Sequence, residues 1–272
     1  MTTYVTSADG TRIAFDRLGD GPPVVVIGGM FCTRAATAPL AGALAERFTV
    51  FNLDRRGRGD SGDTPTYAVA REVEDVAAVV EAARPAGAEG AGVAVYGHSS
   101  GAALALETAA AGVPIARLVL HEPPYGGDDE ESVQGARELA RSVAAALAED
   151  RRADAIAVFM TASGLPPEVA EGTAQDPQMQ AVAPTMPYDF AVVGDEERGG
   201  RIPEDLVRTL AMPTLVVAGS TSPAFFRDTA SRLVELLPDG RLTIIEGHGH
   251  EAGGDVVAPV VAPFLAGRAP TG

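Results

Sequence analysis

Val93-Ala94-Val95-Tyr96-Gly97-His98-Ser99-Ser100-Gly101 decides the fold. A short apolar run ends in Gly-His-Ser-Ser-Gly, and a small-residue helical pattern, Ala102-Ala103-Leu104-Ala105-Leu106, follows at once. This reads as strand, sharp turn and helix, with Gly-x-Ser-x-Gly in the turn. A serine hydroxyl is a weak nucleophile, and it must be held clear of the backbone beside a base. A tight strand-to-helix turn does this but strains the serine backbone and crowds its neighbours. Gly97 and Gly101 carry no Cβ to clash there. The helix that begins at the turn points its free N–H groups at the site and favours negative charge.

The same alternation extends on both sides. Tyr4–Ser7 and Arg12–Leu18 are expected to be strands joined at Asp9-Gly10, a hairpin dipeptide. Val24–Ile27 is a continuous apolar strand, the mark of burial on both faces. Thr33–Arg47 reads as helix, Phe48–Leu53 as strand and Val69–Ala83 as helix, with Val73, Val76, Val79 and Val80 at helical spacing. Between the last two, Asp54-Arg55-Arg56-Gly57-Arg58-Gly59-Asp60-Ser61-Gly62 reads as a tight loop whose charges face water. After the Ser99 turn come helix 102–111 and the buried strand Ile115–Leu120, which ends at His121-Glu122-Pro123-Pro124.

The pattern then changes. From Tyr125 to about Ile202 no buried strand is legible, only helical and polar segments such as Ser132–Ala148 and Ala153–Thr161, with Asp128–Glu131 a solvated helix start. Helix Pro203–Leu210, strand Thr214–Ala218, helix Ala224–Leu237, strand Arg241–Ile245 and helix Asp255–Leu265 resume the alternation. Residues 1–122 and 203–272 are therefore expected to form one core, interrupted by a helical lid over 123–202. Alternating strands and helices imply an α/β fold with a mostly parallel sheet and helices on both faces. Right-handed crossovers bring the loops after strands to one edge, where ligands bind. Gly28–Phe31, Ser99, Glu122, Gly219–Pro223 and His248–His250 all fall on that edge.

Composition narrows the function. The chain has 272 residues, 46% of them hydrophobic, enough for a substantial core. The apolar runs are too short to span a bilayer, mean hydropathy is +0.10, and the N-terminus shows no signal-peptide pattern. The single cysteine, Cys32, excludes an internal disulfide. These features predict a cytoplasmic protein with no membrane partner. The net charge of −16 argues against nucleic acid. All 21 basic residues are arginine, to which no function attaches. No feature calls for a metal or an organic cofactor. Oligomeric state is not legible.

Taken together, Gly28-Gly29-Met30, the loop from Asp54 to Ser61, Gly97-His98-Ser99-Ser100-Gly101 and Gly247-His248-Gly249-His250 resemble the α/β-hydrolase fold superfamily over nearly the whole chain. The resemblance implies an eight-stranded sheet, a serine nucleophile, a histidine base, an acid that orients it and a two-amide oxyanion hole. It makes Ser99 the nucleophile, the N–H groups of Met30 and Ser100 the oxyanion donors, and His250, closing Gly-x-Gly-His, the base. Gly28 replaces the histidine that usually opens the first loop. His248 is expected to be structural or at the rim, and His98 and His121 are expected to be structural, with the His98 side chain pointing away from the catalytic face.

The acid departs from the family pattern. Its usual place is the loop after strand Thr214–Ala218, and Ser222 stands there. Glu122 offers a replacement at the same edge, as in those haloalkane dehalogenases of this superfamily whose acid is a glutamate after strand six. The order Ser99, Glu122, His250 keeps nucleophile, acid and base in sequence. Asp228, inside a predicted helix, and Glu251, adjacent to the base, are weaker alternatives. Gly29, Phe31, Tyr125, Phe159, Met160, Met186 and Tyr188 are expected to line an apolar substrate pocket, with Met179 and Phe190 near it. Cys32 reads as a small apolar residue.

The expected activity is cleavage of an ester, lactone or thioester of a small apolar molecule through an acyl-enzyme. Serine rather than aspartate at the turn argues against epoxide hydrolysis and dehalogenation. A non-hydrolytic protein that binds or cyclises a small molecule is the rival, motivated by Ser222. Carbon–carbon bond cleavage is a third possibility.

Overall fold

The computed structural model describes residues 2–85, 87 and 92–267. The elements run β1 (Thr2–Thr6), β2 (Arg12–Leu18), β3 (Pro23–Ile27), α1 (Arg34–Ala45), β4 (Thr49–Leu53), α2 (Val69–Ala83), β5 (Val93–His98), α3 (Ser100–Ala110) and β6 (Ile115–His121). An all-helical insertion follows: α4 (Glu130–Ala148), α5 (Arg152–Ala162), α6 (Pro167–Thr173), α7 (Pro177–Val182), α8 (Met186–Val193) and α9 (Asp195–Arg198). The chain returns through α10 (Glu204–Val207), β7 (Thr214–Gly219), α11 (Ala224–Leu236), β8 (Gly240–Ile245) and α12 (Gly254–Leu265).

Eight strands form one sheet in the order β1-β2-β4-β3-β5-β6-β7-β8. The β1–β2 and β2–β4 pairs are antiparallel, and every other pair is parallel. Side chains alternate across a strand, so each apolar run feeds two cores. Val25 and Ile27 of β3, Val95 of β5 and Val216 of β7 pack with α2, α3 and α11. Val24 and Val26 of β3, Tyr96 of β5 and Val217 of β7 pack with α1 and α12 on the other face. A third cluster lies within the insertion, around Val143, Ile156, Met186 and Phe190, and Met30 and Phe31 of the β3–α1 loop pack against it.

Boundaries differ modestly from expectation. Helix 203–210 shortens to Glu204–Val207, and the proline-broken stretch after α5 resolves into short helices. Asp129 caps α4 by accepting from the Ser132 N–H at 2.9 Å.

The loop after β4 contradicts the solvated reading. Asp54, Arg55, Arg56 and Arg58 are all buried. Their partners come from far along the chain. Glu72 takes both Arg55 Nε and Nη2 at 2.8 and 2.7 Å. Asp75 takes Arg56 Nε and Nη2 at 2.6 and 2.7 Å, and Asp189 takes Arg58 Nη2 at 2.5 Å. Burial of charge is tolerable when it is paired and hydrogen-bonded. Gly57 and Gly59, at φ +74° and +54°, make the tight turn possible.

Candidate active site

Ser99 sits between β5 and α3 at φ 54°, ψ −127°, a conformation that L-residues rarely adopt. Its N–H is held by the His121 carbonyl at 2.9 Å. The flanking glycines make room. A Cβ on Gly97 would lie 2.4 Å from the Gly101 carbonyl oxygen, and one on Gly101 would lie 2.5 Å from that of Gly28. Of the four non-glycine residues with positive φ among the described residues, Ser99, Phe31 and Glu122 end successive central strands or their loops. Strain of this kind clusters where function over-determines geometry.

Glu122 follows β6 at φ 47° and is fully buried. Its N–H is tied to the Val217 carbonyl at 2.9 Å. Oε1 accepts the Gly219 N–H at 2.7 Å, and Oε2 accepts Nδ1–H of His250 at 2.6 Å. Burial pushes the Glu122 carboxyl up. The hydrogen bonds from His250 and Gly219 and the facing Ser222 hydroxyl outweigh that push, and the group lies below the usual carboxylate range. Ser222 Oγ is buried and completes no hydrogen bond.

The His250 ring is held on both faces. Phe226 of α11 stacks on it at 4.6 Å between centroids and 18° between planes. His98 packs on it at 4.5 Å and 35°, and His98 Nε2 donates to the His250 carbonyl at 3.0 Å. The expectation that His98 points away from the site is therefore corrected: it braces the His250 ring. His121 lies behind His98 at 4.9 Å and shares a 2.6 Å hydrogen bond with the Tyr96 hydroxyl through Nδ1. Burial pushes His98 well below the ordinary histidine value, helped by repulsion from His121 and His250. Burial likewise brings His121 down to about 4. Both stay neutral near pH 7.

With Nδ1 engaged by Glu122, Nε2 of His250 is the ring nitrogen left to serve as a base. Ser99 Oγ makes no hydrogen bond with it in this structure. Bonds of this kind are often long before substrate arrives.

The β3–α1 loop lies against the serine: a Cβ on Gly29 would be 2.7 Å from Ser99 Cβ and 3.3 Å from Ser99 Oγ. Met30 N–H has no acceptor among the described residues. Ser100 opens α3, where N–H groups lack intrahelical partners. Phe31 meets Phe159 edge-on at 5.8 Å, and Phe159 meets Phe190 at 6.1 Å. Met160, Met179 and Met186 belong to the same apolar cluster.

Two residues expected in the pocket sit elsewhere. Tyr125 is fully buried in the α2–α3–α11 core, its carbonyl bonded by Thr229 Oγ1 at 2.8 Å. Tyr188 stacks on Tyr67 at 3.9 Å and donates to Asp63. Asp228 and Glu251 make no hydrogen bond to His250, whose ring partner is Glu122. His248 enters through its carbonyl, which accepts from Thr221 N–H at 3.0 Å. Phe226, Arg58 and Asp189 were not legible as site residues. The Phe225-Phe226 pair beside the unusual Ser222 loop is a signal for the first, and nothing in sequence joins Arg58 to Asp189.

Fold and site together define an α/β protein with a strained serine at a strand-to-helix turn and a carboxylate-bound histidine packed on the residue that precedes the serine. Residues 21–260 match the alpha/beta hydrolase family, and the chain belongs to it. The crystal structure of an alpha/beta hydrolase from Sphaerobacter thermophilus is 46% identical, covers 97% of this chain and 100% of that one, and superposes with a TM-score of 0.85. A thermophilic esterase from Thermogutta terrifontis shares the fold at 23% identity and a TM-score of 0.73, covering 98% of each chain. N-formylmaleamate deformylase from Pseudomonas putida is 33% identical over 138 residues, 47% of this chain. The match spans about half the length of that curated relative, 48% of it. Among the described residues no helix is long and apolar enough to cross a membrane.

Proposed function

We propose that this chain is a serine hydrolase that cleaves an ester, lactone or thioester of a small, mainly apolar molecule. The observation that carries the reading is the 2.6 Å bond from His250 Nδ1 to the buried Glu122 carboxylate, together with a serine held at positive φ. Ser99 Oγ attacks the acyl carbon while His250 Nε2 takes its proton. Glu122 fixes the ring and stabilises the imidazolium. The N–H groups of Met30 and Ser100 receive the oxyanion. His250 returns the proton to the leaving group and then activates water against the acyl-enzyme.

Residues 123–202 act as the lid, and Gly29, Phe31, Phe159 and Met160, backed by Met186, form the apolar wall of the acyl site. The esterase likeness and the deformylase likeness both support acyl chemistry. A small-molecule substrate fits this wall, and a cytoplasmic location fits the lone, unpaired cysteine. The non-hydrolytic rival took its support from Ser222 at the usual acid position, and Glu122 supplies the carboxylate that Ser222 lacks.

Fluorophosphonate labelling tests the reading. The parent protein is expected to be labelled at Ser99 and to hydrolyse p-nitrophenyl esters. Ser99→Ala is expected to lose both. Full esterase activity in Ser99→Ala would remove the mechanism.

A further inference from the structure

We propose that Asp189, on helix α8 of the insertion, sets the oxyanion hole by anchoring both segments that form it, one through Arg58 and the other through the Ser100 hydroxyl. This rests on the reading of Ser99 as nucleophile and of Met30 and Ser100 as donors. Asp189 is almost fully buried and its two oxygens are divided between the two halves of the site. Oδ1 accepts from the Ser100 hydroxyl at 2.6 Å and from Arg55 Nη1 at 2.5 Å. Oδ2 accepts from Arg58 Nη2 at 2.5 Å. Arg58 Nη1 in turn donates to the Gly29 carbonyl at 2.7 Å, and its Nε to Thr185 Oγ1 at 3.0 Å.

The Gly29 carbonyl and the Met30 N–H belong to one peptide unit. That unit is trans, so its C=O and N–H point in opposite directions. A guanidinium fixed on the carbonyl therefore fixes the direction of the N–H. It also polarises the amide and makes the N–H a stronger donor, because hydrogen bonds in series reinforce one another at low dielectric. A cationic donor on the carbonyl does this more strongly than a neutral one. Ser100 is anchored in parallel by its hydroxyl, which orients the first turn of α3 and with it the second N–H.

The arrangement is charge-balanced. Arg55 and Arg58 face Glu72 and Asp189, all four buried. Burial pushes the Asp189 carboxyl up, and Arg58 and Arg55 pull it below the usual range, so it stays ionised. The carboxylate lies in the insertion, while the groups it orders lie in the core. Hole geometry is thus tied to the seating of α8. Asp189 and Arg58 are positioning residues; neither touches substrate.

The test compares a trifluoromethyl ketone with the matching methyl ketone as inhibitors. On the trifluoromethyl ketone, Ser99 Oγ bonds to the carbonyl carbon, the C=O π pair becomes an alkoxide and the serine proton passes to His250. The methyl ketone binds without forming that alkoxide. Arg58→Met is expected to lower kcat per fluorophosphonate-titrated site by about 10-fold or more, below the 10²–10³ for outright loss of a donor. KM should stay within about twofold, since a donor used only in the transition state leaves ground-state binding unchanged. Affinity for the trifluoromethyl ketone should fall with kcat, and affinity for the methyl ketone should not.

Arg58→Lys should recover part of the loss. Ser100→Ala, which removes only a hydroxyl, should show the same pattern more weakly and serves if Arg58→Met or Asp189→Asn fails to fold. A merely structural role would lower the titrated fraction and leave the per-site constants at parent values, and that result overturns the proposal. Activity retained in Ser99→Ala would instead overturn the reading on which it rests.

Discussion

Glu122 Oε2 lies 2.6 Å from His250 Nδ1, across 128 residues of sequence, and the carboxylate comes from the end of β6 rather than from the loop after β7. Glu122→Gln keeps the shape and removes the charge that stabilises an imidazolium. Turnover should fall by about 10²–10⁴, as when a triad carboxylate becomes an amide. Ser222 faces the same carboxylate, so Ser222→Asp in the Glu122→Gln background should recover at least about tenfold of that loss. Steady-state kinetics on one ester decide it; parent-like turnover in Glu122→Gln would mean that another group orients the ring.

Gly29 tolerates no side chain. A Cβ there would meet Ser99 Cβ at 2.7 Å and the His98 carbonyl at 3.1 Å, and both belong to a rigid turn. Gly29→Ala should cost about 1–3 kcal/mol in stability and most of the turnover. Thermal melts and fluorophosphonate labelling check this, and an unchanged labelling rate would show that the turn yields more easily than its packing implies.

Phe226 keeps the His250 ring upright by stacking on it. Phe226→Ala should lower kcat by about tenfold through misplacement of the His250 ring, with larger effect than Phe226→Tyr, which keeps the stacked face. A kcat unchanged in Phe226→Ala would leave the orientation of the ring to Glu122 and His98 alone.

His98 and His121 give the fold an acid sensitivity of its own. Both are held below the ordinary histidine value of 6.5, His121 at about 4. Between those values the unfolded chain binds more protons, so stability rises with pH. Their contribution is full above about pH 6.5 and declines below it, that of His121 being lost as pH falls toward 4. The depressed Glu122 carboxyl adds a loss that sets in only as pH falls through the ordinary glutamate value of 4.5. The melting temperature should therefore begin to drop well above pH 5. His121→Phe should make the fall from pH 7 to pH 4.5 shallower; an unaltered slope would assign the sensitivity elsewhere.

Much of this was legible in the residues. The strand-turn-helix around Ser99 and the continuous apolar runs placed the sheet, because burial on both faces leaves a local pattern. Glu122 was legible because topology brings the end of β6 to the edge that carries Ser99. The Arg55–Arg58 loop was misread because charge signals solvent until its partners are known. Those partners, Glu72 and Asp189, lie 17 and 134 residues from Arg55. Tyr188 resembled a pocket aromatic by composition, and its stacking on Tyr67 is a tertiary fact with no periodic trace.

The ion pairs that Asp189 makes with Arg55 and Arg58 also limit what recombination can do with this chain. Insertions of this kind invite exchange between relatives as a route to new specificity. Here a graft lacking an acid at the α8 position would strand the Arg58 cation in a dry interior and leave Arg55 with Glu72 alone. Removing one partner of a buried pair costs about 3–5 kcal/mol, enough to collapse many chimeras before specificity is assayed. The transferable unit is therefore the insertion together with the Asp54–Ser61 loop, inherited as one block.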